Sequence, residues 1–200
     1  MNYSICVSGA AAGKTVEASK ALAERVGRAI AKSGNITTTG ATVGLPYYAA
    51  RAAKQAGGMS IGFSPAASLK EHIYKYRLPI GVYDFVNFTG MHYVGRDIHL
   101  VQSSDATITV GGRFGSLHEF TTAIESKMPC GVLLGSGGTA DMIPELLDRL
   151  EETHKDLVVM DDDPERLVAK IIKMLDKDLG NIDTKDVASH WFLDGSPSKH

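Results

Sequence analysis

Ala106-Thr-Ile-Thr-Val110 runs without a break into Gly111-Gly-Arg-Phe-Gly-Ser-Leu-His-Glu119. The first five residues form a short β-type run, and Leu117, Phe120 and Ile124 then recur at helical spacing. Strand, glycine-rich turn and helix make up half of a βαβ unit, and the same alternation extends in both directions along the chain. Strand patterns are read at residues 3–8, 35–39, 59–63, 84–88, 106–110, 130–134 and 157–160. Most are near-continuously apolar, as strands covered on both faces must be. The fold class expected is therefore α/β: a single doubly wound, mainly parallel sheet of about seven strands with helices on both faces, Rossmann-like in plan.

The helical runs support this plan. Leu22, Val26 and Ile30 share one face of a helix that Gly34 stops. Residues 45–56 carry Ala49, Ala50, Ala52, Ala53 and Ala56, which suit close approach to a sheet, and Gly57-Gly58 ends the run. Asp163-Pro164-Glu165 reads as N-cap, proline at the first helical position and acidic first turn of the last helix. The pattern fades from about Asp178, so one nucleotide-binding domain is expected over residues 1–180, with a loosely ordered tail over 181–200.

Composition narrows the function classes. A chain of 200 residues that is 44% hydrophobic holds enough apolar material for one full core. Its 21 Lys and Arg against 23 Asp and Glu leave a net charge of −2 and no basic tract, so a nucleic-acid partner is not expected. Cys6 and Cys130 lie in apolar strand patterns, where thiols pack as small hydrophobes, which suggests a reducing, cytoplasmic setting. No apolar stretch approaches the roughly 20 residues needed to cross a bilayer, and Met1-Asn2-Tyr3 leads directly into a strand, so no membrane association is expected.

Ligands of open α/β sheets sit beyond the carboxyl ends of the strands. Four of the turns there are glycine-rich: Ser8-Gly-Ala-Ala-Ala-Gly-Lys-Thr15, Gly40-Ala-Thr-Val-Gly44, Gly111-Gly-Arg-Phe-Gly-Ser116 and Gly135-Ser-Gly-Gly-Thr139. Any one of them is explained by a tight strand-to-helix connection. Together they suggest a phosphate-bearing ligand of nucleotide size, met by backbone amides at helix N-termini. The first turn ends like a Walker A loop, but three residues separate Gly9 from Gly13 where that loop needs four, and no Walker B acid is expected at a strand end. Gly-x-Gly-x-x-Gly is absent from this turn as well. His92, His99 and His118 lack the dense spacing of a metal centre, so no metal is expected.

The turn after the fifth strand resembles the signature of the Lonely Guy family, Pro-Gly-Gly-x-Gly-Thr-x-x-Glu. In an ungapped match Gly111 stands for Pro, Gly112 and Arg113 for the first two glycines, Gly115 for the third, Ser116 for Thr, and Glu119 for Glu. The family's helical arginine, fifteen residues earlier, falls on Arg96. The resemblance extends to the turns after strands one and two, and it implies hydrolysis of the N-glycosidic bond of a nucleoside 5′-monophosphate, giving free base and ribose 5-phosphate without a cofactor. It implies Arg96 and Glu119 as the catalytic pair. Ser8, Gly9, Gly40, Tyr93, Gly112, Arg113, Gly115 and Ser116 are implied as phosphate and nucleotide contacts, and a homodimer built on helices flanking Arg96.

Cleavage of C1′–N builds positive charge on the sugar, so a carboxylate at Glu119 fits the chemistry, and Arg96 is expected to orient it by charge pairing or to reach the phosphate. A plainer reading stands beside it: Ser116-Leu-His-Glu119 also has the form of a capping box, which serves only the helix. Tyr93 fits ordinary packing as well as contact with the base. The chain departs from the signature at Gly111, at Arg113, and at Asp97, where the family has a basic residue. Gly135-Ser-Gly-Gly-Thr139 is similar to a turn in relatives that carry molybdenum cofactor, which gives the alternative of a non-catalytic carrier.

Overall fold

Each of the seven expected strands forms, with its ends within one residue of the bounds read from the apolar runs. The structure, a computed structural model, describes residues 2–150 and 154–180; the tail expected over 181–200 lies outside the described residues. In chain order the elements are β1 (Ser4–Gly9), α1 (Lys14–Lys32), β2 (Ile36–Thr39), α2 (Leu45–Gln55), β3 (Ser60–Ser64), β4 (Phe85–Phe88), α3 (His92–Gln102), β5 (Ala106–Val110), α4 (Phe114–Glu125), β6 (Cys130–Leu133), α5 (Gly138–Arg149), β7 (Val158–Asp161) and α6 (Pro164–Leu179). The strands make one parallel sheet in the order β4-β3-β2-β1-β5-β6-β7.

The order runs outward in both directions from the β1–β5 pair, whose register brings Gly9 level with Val110. The connections that follow these two strands leave toward opposite edges, and the crevice between them is where an open α/β sheet places its ligand. Helices α1, α2 and α6 cover one face, with Ile5, Val7, Ile108, Val110, Leu133 and Ile171 in their shared core. On the other face α3, α4 and α5 pack in sequence, over a core holding Val101, Phe120, Val132 and Ile143. Side chains alternate along a strand, so Cys6 sits with Leu100 of α3, and Ser8, two residues on, faces the same layer.

The alanine-rich α2 approaches α1 so closely that a Cβ on Gly27 would lie 2.9 Å from the Cα of Ala49. Asp163 caps α6 as its sequence predicts, accepting the Arg166 amide at 2.9 Å with Pro164 in the first turn, and also pairs with Arg25 of α1 at 2.5 Å. Burial pushes the Cys130 thiol up to about 12 and the Cys6 thiol well above its ordinary range, in keeping with packing roles. No helix among the described residues is long and apolar enough to cross a membrane.

Candidate functional site

Helix α4 begins at Phe114, earlier than its first apolar-periodic residue Leu117. Arg113 is its N-cap in extended conformation, and no side chain caps the helix. This removes the capping-box reading: Ser116 is the third helical residue and Glu119 the sixth, too far along to return to the first amides. The Glu119 carboxylate instead accepts the Ser8 hydroxyl from β1. Leu117 donates to the Arg113 carbonyl at 3.0 Å, while the amides of Phe114, Gly115 and Ser116 have no acceptor among the described residues. They form the positive end of the helix dipole and open onto a cavity of about 310 Å³, near the lower end of the ~300–1,000 Å³ typical of small-molecule sites.

Arg96 enters the same cavity from α3. Only 4% exposed, it donates through Nη1 to the carbonyls of Gly40 and Phe63, the latter at 3.0 Å, and through Nε to Asp97 Oδ1 at 3.0 Å. Gly40 has no side chain because none fits: a Cβ there would overlap the Arg96 guanidinium. The expected ion pair between Arg96 and Glu119 is not formed. Arg96 pairs with its neighbour Asp97, whose other oxygen faces His118 Nδ1 at 3.1 Å. Arg96 acts on Glu119 through its field alone.

Glu119 is 8% exposed, and its pKa is pushed up to about 7. Burial is the principal cause and the Asp97 charge adds to it, while Arg96 and the Ser8 hydroxyl oppose. At neutral pH the group is therefore divided between acid and carboxylate.

Of the expected site residues, Gly9, Gly40, Tyr93, Arg96, Arg113, Gly115, Ser116 and Glu119 border this one cavity. Ser8 stands behind Glu119 and does not line it. Gly112 is also turned away: its carbonyl accepts the Thr139 amide at 3.3 Å, and that of Gly111 accepts Ala140 at 2.9 Å, so these residues anchor α5. Among the lining residues not foreseen as site members, two carry distinctive chemistry. Asp97 stood only as a departure from a motif, and Phe114, 90% exposed at the rim, was an unassigned position between two glycines. The signal that finds Phe114 is the combination of a large apolar side chain with the first turn of a helix at a strand end, where packing does not require it. Tyr93 contributes a second partly exposed ring, with the Arg96 guanidinium 6.0 Å from its centre.

The remaining glycine-rich turn is already occupied. The Asp141 carboxylate accepts the amides of Gly135 at 2.7 Å and Gly137 at 3.0 Å, filling the position an anion would take. A more open cavity of about 320 Å³ lies between this turn and Lys14-Thr15, separate from the one that Glu119 borders. Contrary to expectation, one strand does end in an aspartate after an apolar run: Asp161 on β7. That strand is at the sheet edge and its carboxylate is bound by Arg166 at 2.7 Å and Lys170 at 2.9 Å. No cluster of three potential metal-ligating side chains occurs among the described residues.

The sequence model of the SLOG cluster4 family matches residues 2–168. An uncharacterised protein of Archaeoglobus fulgidus is 32% identical over 114 residues, which cover 57% of this chain and 70% of that one. The molybdenum cofactor binding protein of Rippkaea orientalis superposes with a TM-score of 0.71 at 25% identity, over 88% of this chain and 98% of its own. The Moco carrier protein of Chlamydomonas reinhardtii superposes at 0.73 and 25% identity, over 88% and 99%.

Proposed function

From the premise that the chain belongs to the SLOG cluster4 family, we propose that it binds a nucleoside 5′-monophosphate at the β1–β5 crevice and hydrolyses its N-glycosidic bond, releasing free base and ribose 5-phosphate. The observation that carries this reading is the convergence on one cavity of a buried carboxyl, Glu119, and a helix N-terminus whose amides are free. The amides of Gly115 and Ser116 take the phosphate, and Arg113 serves as a clamp, since its guanidinium has no ion-pair partner among the described residues. Phe114 and Tyr93 offer ring faces to the base. Glu119, deeper in the cavity, lies toward the C1′–N bond. Arg96 holds the β2 turn and Asp97 in place, which is a different task from pairing with Glu119.

The second reading is a non-catalytic carrier of a phosphate-bearing pterin. It is favoured by a likeness that covers 88% of this chain and nearly the whole of two proteins described as binding or carrying molybdenum cofactor. One experiment separates the two. The purified protein is incubated with a panel of nucleoside monophosphates, and free base and ribose 5-phosphate are sought chromatographically, with calorimetry of the same panel and of a pterin cofactor alongside. Release of base supports the hydrolase. Pterin binding with no release from any nucleotide supports the carrier and overturns the hydrolase.

We further propose a homodimer formed through the outward face of α3, where Met91, Val94 and Ile98 are exposed at helical spacing.

A further inference from the structure

The two acidic side chains of the cavity have unequal partners. Asp97 has a guanidinium on one oxygen and an imidazole on the other, at 3.0 and 3.1 Å. Glu119 has no cation within ion-pair distance among the described residues, because Arg96 spends Nη1 on the carbonyls of Gly40 and Phe63 and Nε on Asp97. What faces Glu119 is the Ser8 hydroxyl and the Cys6 thiol from β1, and Arg96 and Asp97 from α3, with His118 of its own helix bound to the far side of Asp97. Asp97 and Glu119 border the same cavity, and the charge of Asp97 disfavours ionisation of Glu119. When two buried carboxyls adjoin and one holds the cations, the shared proton resides on the other.

We infer that Asp97 and Glu119 form a proton-sharing pair in which Asp97 keeps the negative charge and Glu119 enters the reaction as an acid. This rests on the hydrolase reading and deepens it. In the step, the C1′–N bond breaks with its electron pair passing to the base, and the Glu119 carboxyl gives its proton to that nitrogen. Water adds to C1′ and its released proton returns to the Glu119 carboxylate, so base, sugar and enzyme are each restored in balance. Asp97 is a positioning residue: it acts through Glu119 by making ionisation there unfavourable. The elevation of Glu119 to about 7 agrees with this arrangement.

The test follows the Glu119 carboxyl by carbon NMR in glutamate-labelled protein, assigned with Glu119→Gln, alongside the pH profile of base release. In the wild type the carboxyl titrates near neutrality and base release falls as pH rises through the same range. In Asp97→Asn both transitions move down by about 1 unit or more. The wild-type titration alone keeps the test decisive if that variant folds poorly. A Glu119 carboxyl titrating below pH 5, a titration unmoved in folded Asp97→Asn, or base release that rises with pH through neutrality overturns the inference while leaving hydrolysis intact. A wild type that releases no base overturns the hydrolase reading, and the acid step with it, and the NMR titration then judges the proton-sharing pair by itself.

Discussion

Glu119 shows how a single residue trades stability for a site. A carboxyl whose pKa in the folded chain is raised from 4.5 to about 7 stabilises the fold fully only below pH 4.5, where it is protonated in both states. As pH rises toward 7 the unfolded chain ionises freely and the folded chain does not, so stability is lost across that window and the loss is complete above it. Glu119→Gln keeps the shape and abolishes the ionisation. Thermal melts are expected to show the variant more stable than the wild type above about pH 7, by on the order of a few kcal/mol, and no such advantage below pH 4.5. A pH-independent difference between the two melts would mean that Glu119 does not titrate in this way. Glu119 and Arg96 are singled out in the sequence because their positions match the family signature that the turn after the fifth strand resembles. Their partners are not. Arg96 meets Gly40 and Phe63, 56 and 33 residues away in the chain, through a gap left by a missing Cβ, and such long-range contacts leave no local pattern.

At the scale of the element, α4 and α6 start in opposite ways. α6 carries its own cap in Asp163, which also draws in Arg25, whereas α4 leaves its first amides open beside the cavity. Asp163→Ala is therefore expected to cost about 1 kcal/mol or somewhat more in urea denaturation, through the lost cap. Gly115→Val probes the other helix. A Cβ at position 115 meets nothing within 4 Å, so the fold accommodates the side chain, which projects into the space assigned to phosphate. Nucleoside monophosphate affinity by calorimetry is expected to fall at least tenfold while the melting temperature changes little; unchanged affinity would move the phosphate elsewhere. The α6 cap was legible because Asp-Pro-Glu is a local signal. The start of α4 stays open in the sequence, because Ser116-Leu-His-Glu119 has the form of a capping box while a ligand-facing N-terminus needs no local cap signal; the structure sets it at Phe114 with Arg113 as N-cap.

For the whole molecule, alternation of strands and helices sufficed to predict the sheet, its parallel sense and its two helical layers. It could not rank the four glycine-rich turns, because their difference lies in what fills them: Asp141 occupies one, α5 is anchored on part of another, and the crevice between β1 and β5 presents free helix amides beside Glu119. Assembly is likewise a property of surfaces. Val94 and Ile98 stand one turn apart along α3 with Met91 just before its start, and α3 also supplies Arg96 and Asp97, so a second copy seated there would brace the helix that holds the site. A stable pairing of this kind buries ~1,200–2,000 Å² in total, more than one stripe provides, so further surface beside α3 would join it. Light scattering at micromolar concentration is expected to give twice the 21.4 kDa chain mass for the wild type and the single-chain mass for Val94→Glu, which places a charge in the stripe and disturbs nothing buried. A wild-type monomer would remove the dimer, and a Val94→Glu dimer would move its interface off α3. In the expected case the variant should also bind nucleotide less tightly, since the helix that carries Arg96 and Asp97 loses its external support.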